Sequence, residues 1–398
     1  MKMLPYVSIF EYIHKQVEHN INTQESILEV YKEYKNIVNS PQLTDKVFIE
    51  VINNYFYDAN IKYSSLTALK EQKQQVGIKV RATKDALIVT EVTDDLRFVV
   101  GDEITALSGD GIEYCRKRYH RILGEEPYHR EDWHHILTLQ NDVDINRSHQ
   151  SYHFELKKYI FKEEAQIRIY ERDEIPIVNI KGNISFEQTI DALYQLSKIK
   201  SSRIIFDVRN TNFDRLSIAE FLIPYFYEVG LRSQVGTNEA QVETTIEKHT
   251  NLFIRKLEKL YKESEEMNEQ AFYQNIIDQI EGNWQYFDDN QIEFTGLSRF
   301  EDITIIIDKD TEMAAEWFVQ KVQNSNIVNV IGRPTKGDLS YMDLVEEKID
   351  QRFLLSYPVY NLKRKNYDSM VYPNELIEWS KRHALYDYDI KFAINNRC

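Results

Sequence analysis

The sequence predicts a multi-domain α/β protein, and three observations predict it. Apolar residues recur at helical spacing through the first 75 positions. Short strand-like runs separated by glycine turns occupy about 76–164. From about 165 to 398, apolar strand-like runs alternate with amphipathic helical stretches, the order that builds a mainly parallel sheet covered by helices. With 398 residues, 42% hydrophobic and 28% charged, the chain has room for two or three globular domains.

In the N-terminal helical segment, Ile9, Phe10, Ile13 and Val17 share one face. Ile27, Val30, Tyr31, Tyr34 and Ile37 or Val38 continue the pattern, Ser40-Pro41 breaks it, and a third helix carries Val47, Val51, Ile52 and Tyr55. The β module opens with Val76–Val80, Ala86–Val89 and Glu103–Leu107, with turns at Gly101-Asp102 and Ser108–Gly111. An insert from Cys115 to Asp144 reads as helical. In the third region, Ile175–Ile180 and Arg203–Val208 read as strands, and Phe186–Ile199 and Leu216–Phe226 as helices. A polar helical insertion spans about 237–283, with Leu252, Phe253, Leu257, Leu260 and Tyr261 as its apolar stripe. The strand Ile303–Ile307 then leads into a turn and a helix through Trp317, Phe318 and Val322, followed by the strand Ile327–Ile331.

Charge and composition exclude several function classes. A formal charge of −15 spread along the chain lacks the basic footprint of a nucleic-acid binder. No apolar run approaches the roughly 18 residues of a membrane-spanning helix. The start of the chain soon reaches Glu11, His14 and Lys15, so a secretory apolar region is not expected; the two cysteines, Cys115 and Cys398, lie far apart, and a cytoplasmic, reducing location follows. His149 and His153 are four apart, but the alternation around Phe154 reads as a strand rather than a zinc-binding helix, so no metal is expected. Walker A, dinucleotide G-x-G-x-x-G and G-x-S-x-G motifs are absent, and no cofactor is expected.

The most informative stretch is Asp308-Lys309-Asp310-Thr311-Glu312-Met313-Ala314-Ala315-Glu316, set between a strand and a helix. It resembles the D-x-x-T-x-S-A-x-E turn of the C-terminal processing (tail-specific) serine peptidases and the related tricorn core. Four other segments fit the same family in order. Val76–Val80 and Gly101–Gly109 resemble its PDZ module. Gly332–Asp338 resembles its G-x-x-T-F-G-K segment, Val371–Asn374 its V-x-P-D, and Tyr388–Ile394 its closing D-x-x-L-x-x-A-L. The resemblance implies three parts: an N-terminal helical segment (1–75), a PDZ-like module with a helical insert (76–164), and an α/β core related to the ClpP and crotonase folds (165–398).

By that resemblance, Met313 stands at the nucleophile position, and a thioether cannot form an acyl-enzyme. Asp338 stands where the processing peptidases place their lysine base. Asn60 falls at the histidine of the tricorn-like relatives. Asp207–Asp214 matches the D-L-R-G-N-x-G-G oxyanion loop with its glycines gone, leaving Asn210 in the first glycine's place; only 12 glycines occur in the whole chain. Ser340 and Lys336 are the candidate substitutes for a rearranged site.

Three readings stay open, one of binding, one enzymatic and one structural. The first is a non-catalytic peptidase-like protein that binds an extended peptide or unfolded tail in a cleft between the PDZ-like module and the core, at Asn210, Met313 and Asp338. The second is an active serine-type peptidase with a rearranged catalytic site. The third is an interaction subunit using the helical insertion. Neither the peptide's identity nor the oligomeric state is readable from the sequence.

Overall fold

The helical period of the first segment produces three helices, Tyr6–Val17, Gln24–Val38 and Asp45–Asp58. The computed structural model describes residues 4–17, 24–61, 64–70, 74–124, 127–161, 165–213, 216–235, 239–243, parts of 254–277, 286–288, 292–337, 344–358, 361–364 and 370–396. All four residues expected on the first helix's inner face are buried: Ile9, Phe10, Ile13 and Val17. On the third helix Ile52 and Tyr55 are buried as expected, and the inner face is completed by Phe48 and Phe56 rather than Val47 and Val51. Val47 is exposed. Thr44 caps the helix by accepting the Val47 N–H at 3.4 Å.

The chain divides into two compact units, and the division is discontinuous in sequence: Met1–Glu71, Thr237–Gln291 and Leu339–Tyr367 form one, and the remaining segments the other. In the first unit the three helices share a core with a three-stranded antiparallel sheet, in which Phe353–Pro358 lies between Ser65–Ala68 and Leu344–Ile349. Ile254, Tyr273 and Ile277 of the insertion enter that core, with Tyr261 packed against it. Leu252, Phe253, Leu257 and Leu260 lie outside the described residues. The insertion is also not wholly helical. Glu239–Glu243 and Tyr286–Asp288 are strands, paired with each other and, through the former, with Asn361–Arg364.

The second unit contains an antiparallel module and a parallel core. The module's sheet runs in the order Ile78–Ala82, Leu87–Val92, Glu103–Leu107, Asp142–Arg147, Gln150–Glu155. Its insert is helical at Ile112–Arg118, His120–Leu123 and His134–Leu139, and the last residues, from Asp142, join the sheet. Trp133, Ile136 and Leu137 of this insert fill the module's core with Cys115. His149 sits in a turn at φ 68° and His153 in a strand.

The core sheet has the order Gln166–Arg172, Ile175–Ile184, Arg203–Asp207, Asp302–Ile307, Val328–Gly332, Glu375–Leu376; the first pair is antiparallel and the rest parallel. The central strands are near-continuous Ile and Val because both faces are covered. The helix Phe186–Leu196 begins with a capping box, Ser185 accepting the Gln188 N–H and Gln188 accepting the Ser185 N–H. The expected helix 216–226 is α-helical only over Leu216–Leu222, and Ile223–Phe226, containing Pro224, tightens to a 3-10 turn. Among the described residues no helix is long and apolar enough to cross a membrane.

Candidate functional site

Parallel strands end on one side of the sheet, and ligands in open α/β folds gather outside those carboxyl ends. Here three ends meet: Asp207, Ile307 and Gly332. Gly332 is required on two counts. Its φ is 115°, and a Cβ would come 2.2 Å from the Ile307 carbonyl oxygen.

The turn after Ile307 is held by its own short polar side chains. Thr311 Oγ1 donates to the Val208 carbonyl at 3.0 Å and accepts the Asp308 N–H at 3.2 Å, and the Asp308 carboxylate accepts the Asp310 N–H at 3.0 Å. The chain then reverses at Met313, with φ 51° and ψ −118°, and enters the helix Ala314–Val322. A bulky residue with positive φ at a sharp strand-to-helix turn is a strained elbow, of the kind that lifts a nucleophile into view in hydrolases. Met313 is 38% exposed there.

Glu316, fully buried, braces the elbow: one carboxylate oxygen accepts the Met313 N–H at 3.0 Å and the other the Gly337 N–H at 2.7 Å. One side chain thus ties the elbow to the loop carrying Lys336. Sequence reading quoted Glu316 within the motif and gave it no role.

Asn210 adopts φ 60°, the left-handed conformation that a glycine would take, and its carbonyl accepts the Gly182 N–H at 2.9 Å. Asparagine tolerates this region better than other side-chain-bearing residues. The following strand Thr211–Phe213 runs beside the elbow: Glu312 N–H donates to the Thr211 carbonyl at 3.1 Å, and Asn212 Nδ2 lies 3.5 Å from the Met313 sulfur. Lys336 donates its N–H to the Thr311 carbonyl at 3.1 Å, and its ammonium closes on the Glu312 carboxylate. The elbow, Asn210 and Lys336 are therefore brought to one place. Asn60 belongs to the other unit, where it ends a helix with φ 54° and donates to the Tyr57 carbonyl at 2.9 Å. Asp338 and Ser340 lie outside the described residues.

Behind the elbow is a buried ionic network; the sequence pointed to Asp207 and Arg209 as a pair at the strand end, and the other members are far apart in the chain. Arg81, from the module's terminal strand, contacts Asp308 at 2.5 Å, and Arg333 contacts Asp389. Arg209 bridges Asp207 at 2.8 Å, Asp387 at 2.7 Å and Asp389 at 2.9 Å. Burial alone would raise the Asp308 carboxyl, but Arg81, Arg333 and Arg209 outweigh it and hold it well below the usual carboxylate range. Burial would raise Asp389 too, but the neighbouring His383, Arg333 and Arg209 outweigh it and hold it well below the usual carboxylate range. The module is also tied to the Lys336 loop, because Arg130 donates to the Pro334 carbonyl at 2.7 Å and the Thr335 carbonyl at 2.9 Å.

A hydroxyl–imidazole–carboxylate line occurs outside the elbow. Ser380 Oγ is 3.1 Å from His383 Nδ1, and His383 Nε2 is 3.4 Å from Asp389. However, Nδ1 already accepts the Ser380 backbone N–H at 2.9 Å, so its lone pair closes the turn leading into Arg382–Leu385.

No family model and no curated relative matches the sequence. Solved structures do match it. Mature CPAF is similar over 98% of this chain and 95% of its own, with a TM-score of 0.66 at 10% identity. The photosystem II D1 C-terminal processing protease is similar over 94% of each chain, with a TM-score of 0.50 at 9% identity. The chain has the fold of the C-terminal processing proteases. At these identities the likeness concerns the backbone, and the side chains at the elbow are this chain's own.

Proposed function

We propose that the chain holds an extended peptide or protein tail at the carboxyl ends of its parallel strands and does not cut it. The observation that carries this reading is Met313, an exposed thioether on a braced and strained elbow. A thioether has no proton to yield and makes no acyl-enzyme. Lys336, the nearby amine, is engaged with Glu312. A backbone arrangement that costs about 1–3 kcal/mol persists without the nucleophile that such turns present, which favours a retained binding surface.

In this reading Met313 offers an apolar contact, and Asn210 an amide for peptide groups; Asp338, expected beside them, lies outside the described residues. The name of the D1 processing protease gives a protein C-terminus as that enzyme's substrate, and an extended tail is the corresponding ligand class here. The PDZ-like module acts as a wall of the cleft. Its terminal strand Ile78–Ala82 is mostly buried, and its Arg81 is committed to Asp308, which supports a packing role over strand addition at that edge.

The second reading, a peptidase with a rearranged site, has the Ser380–His383–Asp389 line in its favour and the capped Nδ1 against it. Incubating the protein with a diverse peptide library, and reading captured and cleaved species by mass spectrometry, separates the two. Captured intact peptides are expected. Cleavage, together with fluorophosphonate labelling of Ser380 or Ser340, would overturn the binding reading.

A further inference from the structure

The strand Gln166–Arg172 stands at one edge of the core sheet. It pairs with Ile175–Ile184 on one side, and among the described residues no strand pairs with it on the other. Its seven residues keep one register without a bulge and contain no proline. Arg168, Tyr170, Glu171 and Arg172 are exposed, and Gln166, Ile167 and Ile169 are half-buried. An edge that is straight and longer than the usual ~5–6 residues is a ready template for a further strand.

The hairpin turn decides which backbone groups are open. Asp173 and Glu174, at φ 49° and 63°, join the two strands in the two-residue turn that suits tight hairpins. The residues flanking such a turn, Arg172 and Ile175, form a hydrogen-bonded pair. Alternate pairs then repeat it: Tyr170 with Ile177, Arg168 with Asn179, and Gln166 with Lys181. Gly182 agrees with this phase, because its N–H is committed to the Asn210 carbonyl on the far side of its strand. Ile167, Ile169 and Glu171 therefore turn their N–H and C=O groups outward.

Any extended chain could meet those groups, but the side chains favour a second copy of the same strand. Set antiparallel about a two-fold axis at Ile169, two copies pair all seven residues. Ile169 then meets its own counterpart, Ile167 meets Glu171, Arg168 meets Tyr170, and Gln166 meets Arg172. The Arg168–Tyr170 pairs are of the closer, non-hydrogen-bonded kind, so each guanidinium reaches a phenol ring. No like charges stand directly opposite. Other axes lose this: at Arg168 or Glu171 that residue opposes itself, and at Tyr170 the two arginines oppose each other. An axis at Ile167 leaves Ile169–Arg172 unpaired.

We infer that this edge joins two copies of the chain into a dimer whose core sheets run on through the axis. The three outward-facing pairs supply about six backbone hydrogen bonds. The surface lies at the other edge of the sheet from Glu375–Leu376 and uses no residue of the elbow, so it stands whether or not the elbow holds a peptide.

Sedimentation equilibrium of the full chain tests the inference, together with amide hydrogen exchange read residue by residue at low and high protein concentration. A monomer–dimer equilibrium is expected. Rising concentration should slow exchange at Ile167, Ile169 and Glu171 by about tenfold or more, and at Arg168 and Tyr170, already bonded within the sheet, by less. Ile169→Pro removes the central outward N–H without touching the existing ladder, and should leave a folded monomer. If that variant fails to fold, Ile169→Lys still decides: it sets two ammonium groups opposite each other and should weaken the dimer, most at low salt. A chain that stays monomeric up to about 100 μM would overturn the inference. So would a dimer that leaves the three amides unchanged, a folded Ile169→Pro variant that still dimerises, or a monomer that instead captures an extended peptide along this edge.

Discussion

Arg81→Met removes the cation nearest Asp308 while leaving a side chain of similar length. Removing one partner of a buried pair costs about 3–5 kcal/mol, because the other charge stays buried. Two features place the expected loss near the lower end. The Arg333 guanidinium lies 4.0 Å from the same carboxylate, and the Asp310 N–H still donates to it at 3.0 Å. A loss of about 3 kcal/mol is expected at pH 7, measured by urea unfolding with the fluorescence of Trp133, Trp317 and Trp379 as the signal.

The pH dependence follows from the sign of the Asp308 shift. A carboxyl whose folded pKa lies below its unfolded value contributes stability that is fully present above the unfolded value and is lost as pH falls through the folded one. In the variant Arg333, Arg209 and the Asp310 N–H still hold the carboxylate but the nearest cation is gone, so acid protonates Asp308 there first. The gap between wild type and variant is therefore wide at pH 7 and narrows in acid. Adding Asp308→Asn to Arg81→Met should recover part of the loss, giving a coupling energy well above zero. A loss under about 1 kcal/mol at pH 7, with no coupling in the double variant, would show that Arg81 merely fills space and would refute the argument.

Three further outcomes are expected. Glu316→Ala leaves the Met313 and Gly337 N–H groups without their acceptor; each orphan costs about 1–3 kcal/mol, so stability should fall and captured peptides should be released, both readable by thermal unfolding and pull-down. Met313→Ser should restore neither peptide turnover nor fluorophosphonate labelling, since Lys336 is engaged with Glu312; labelling at position 313 would show that a working base survives near the elbow. Asn210→Val should cost about 1–2 kcal/mol through its left-handed φ, whereas Asn210→Gly should be close to neutral, as two melting temperatures would show.

Much of the fold was legible because periodicity reports which side of an element is buried. The runs Ile303–Ile307 and Arg203–Val208 could only be strands covered on both faces, and the first helix declared its inner face residue by residue. On the third helix Val47 and Phe48 are apolar neighbours, so spacing alone did not choose between them, and Phe48 is the buried one. The strand Glu239–Glu243 was invisible because its two apolar residues, Ala240 and Val242, sit among charged and polar neighbours that fit a helix equally well.

At the site, the sequence showed what chemistry was missing and not what geometry remained. The resemblance sets Met313 and Asn210 where the family carries a serine and a glycine, and this remains an expectation of the sequence. Their positive φ values are properties of a backbone that the surrounding contacts hold in place. Glu316 sits in a recognisable motif, yet its task depends on Gly337, which lies 21 residues away.

By itself, the sequence determined the fold class and placed Met313 between a strand and a helix, because side-chain identity and local spacing carry those facts. Only the tertiary structure decided that the elbow stays strained and braced. It alone decided that Arg81, Asp308, Arg333 and Asp389 form one buried network. Each of those depends on residues far apart in the chain, whose charges and volumes act on one another only after folding has excluded water from between them.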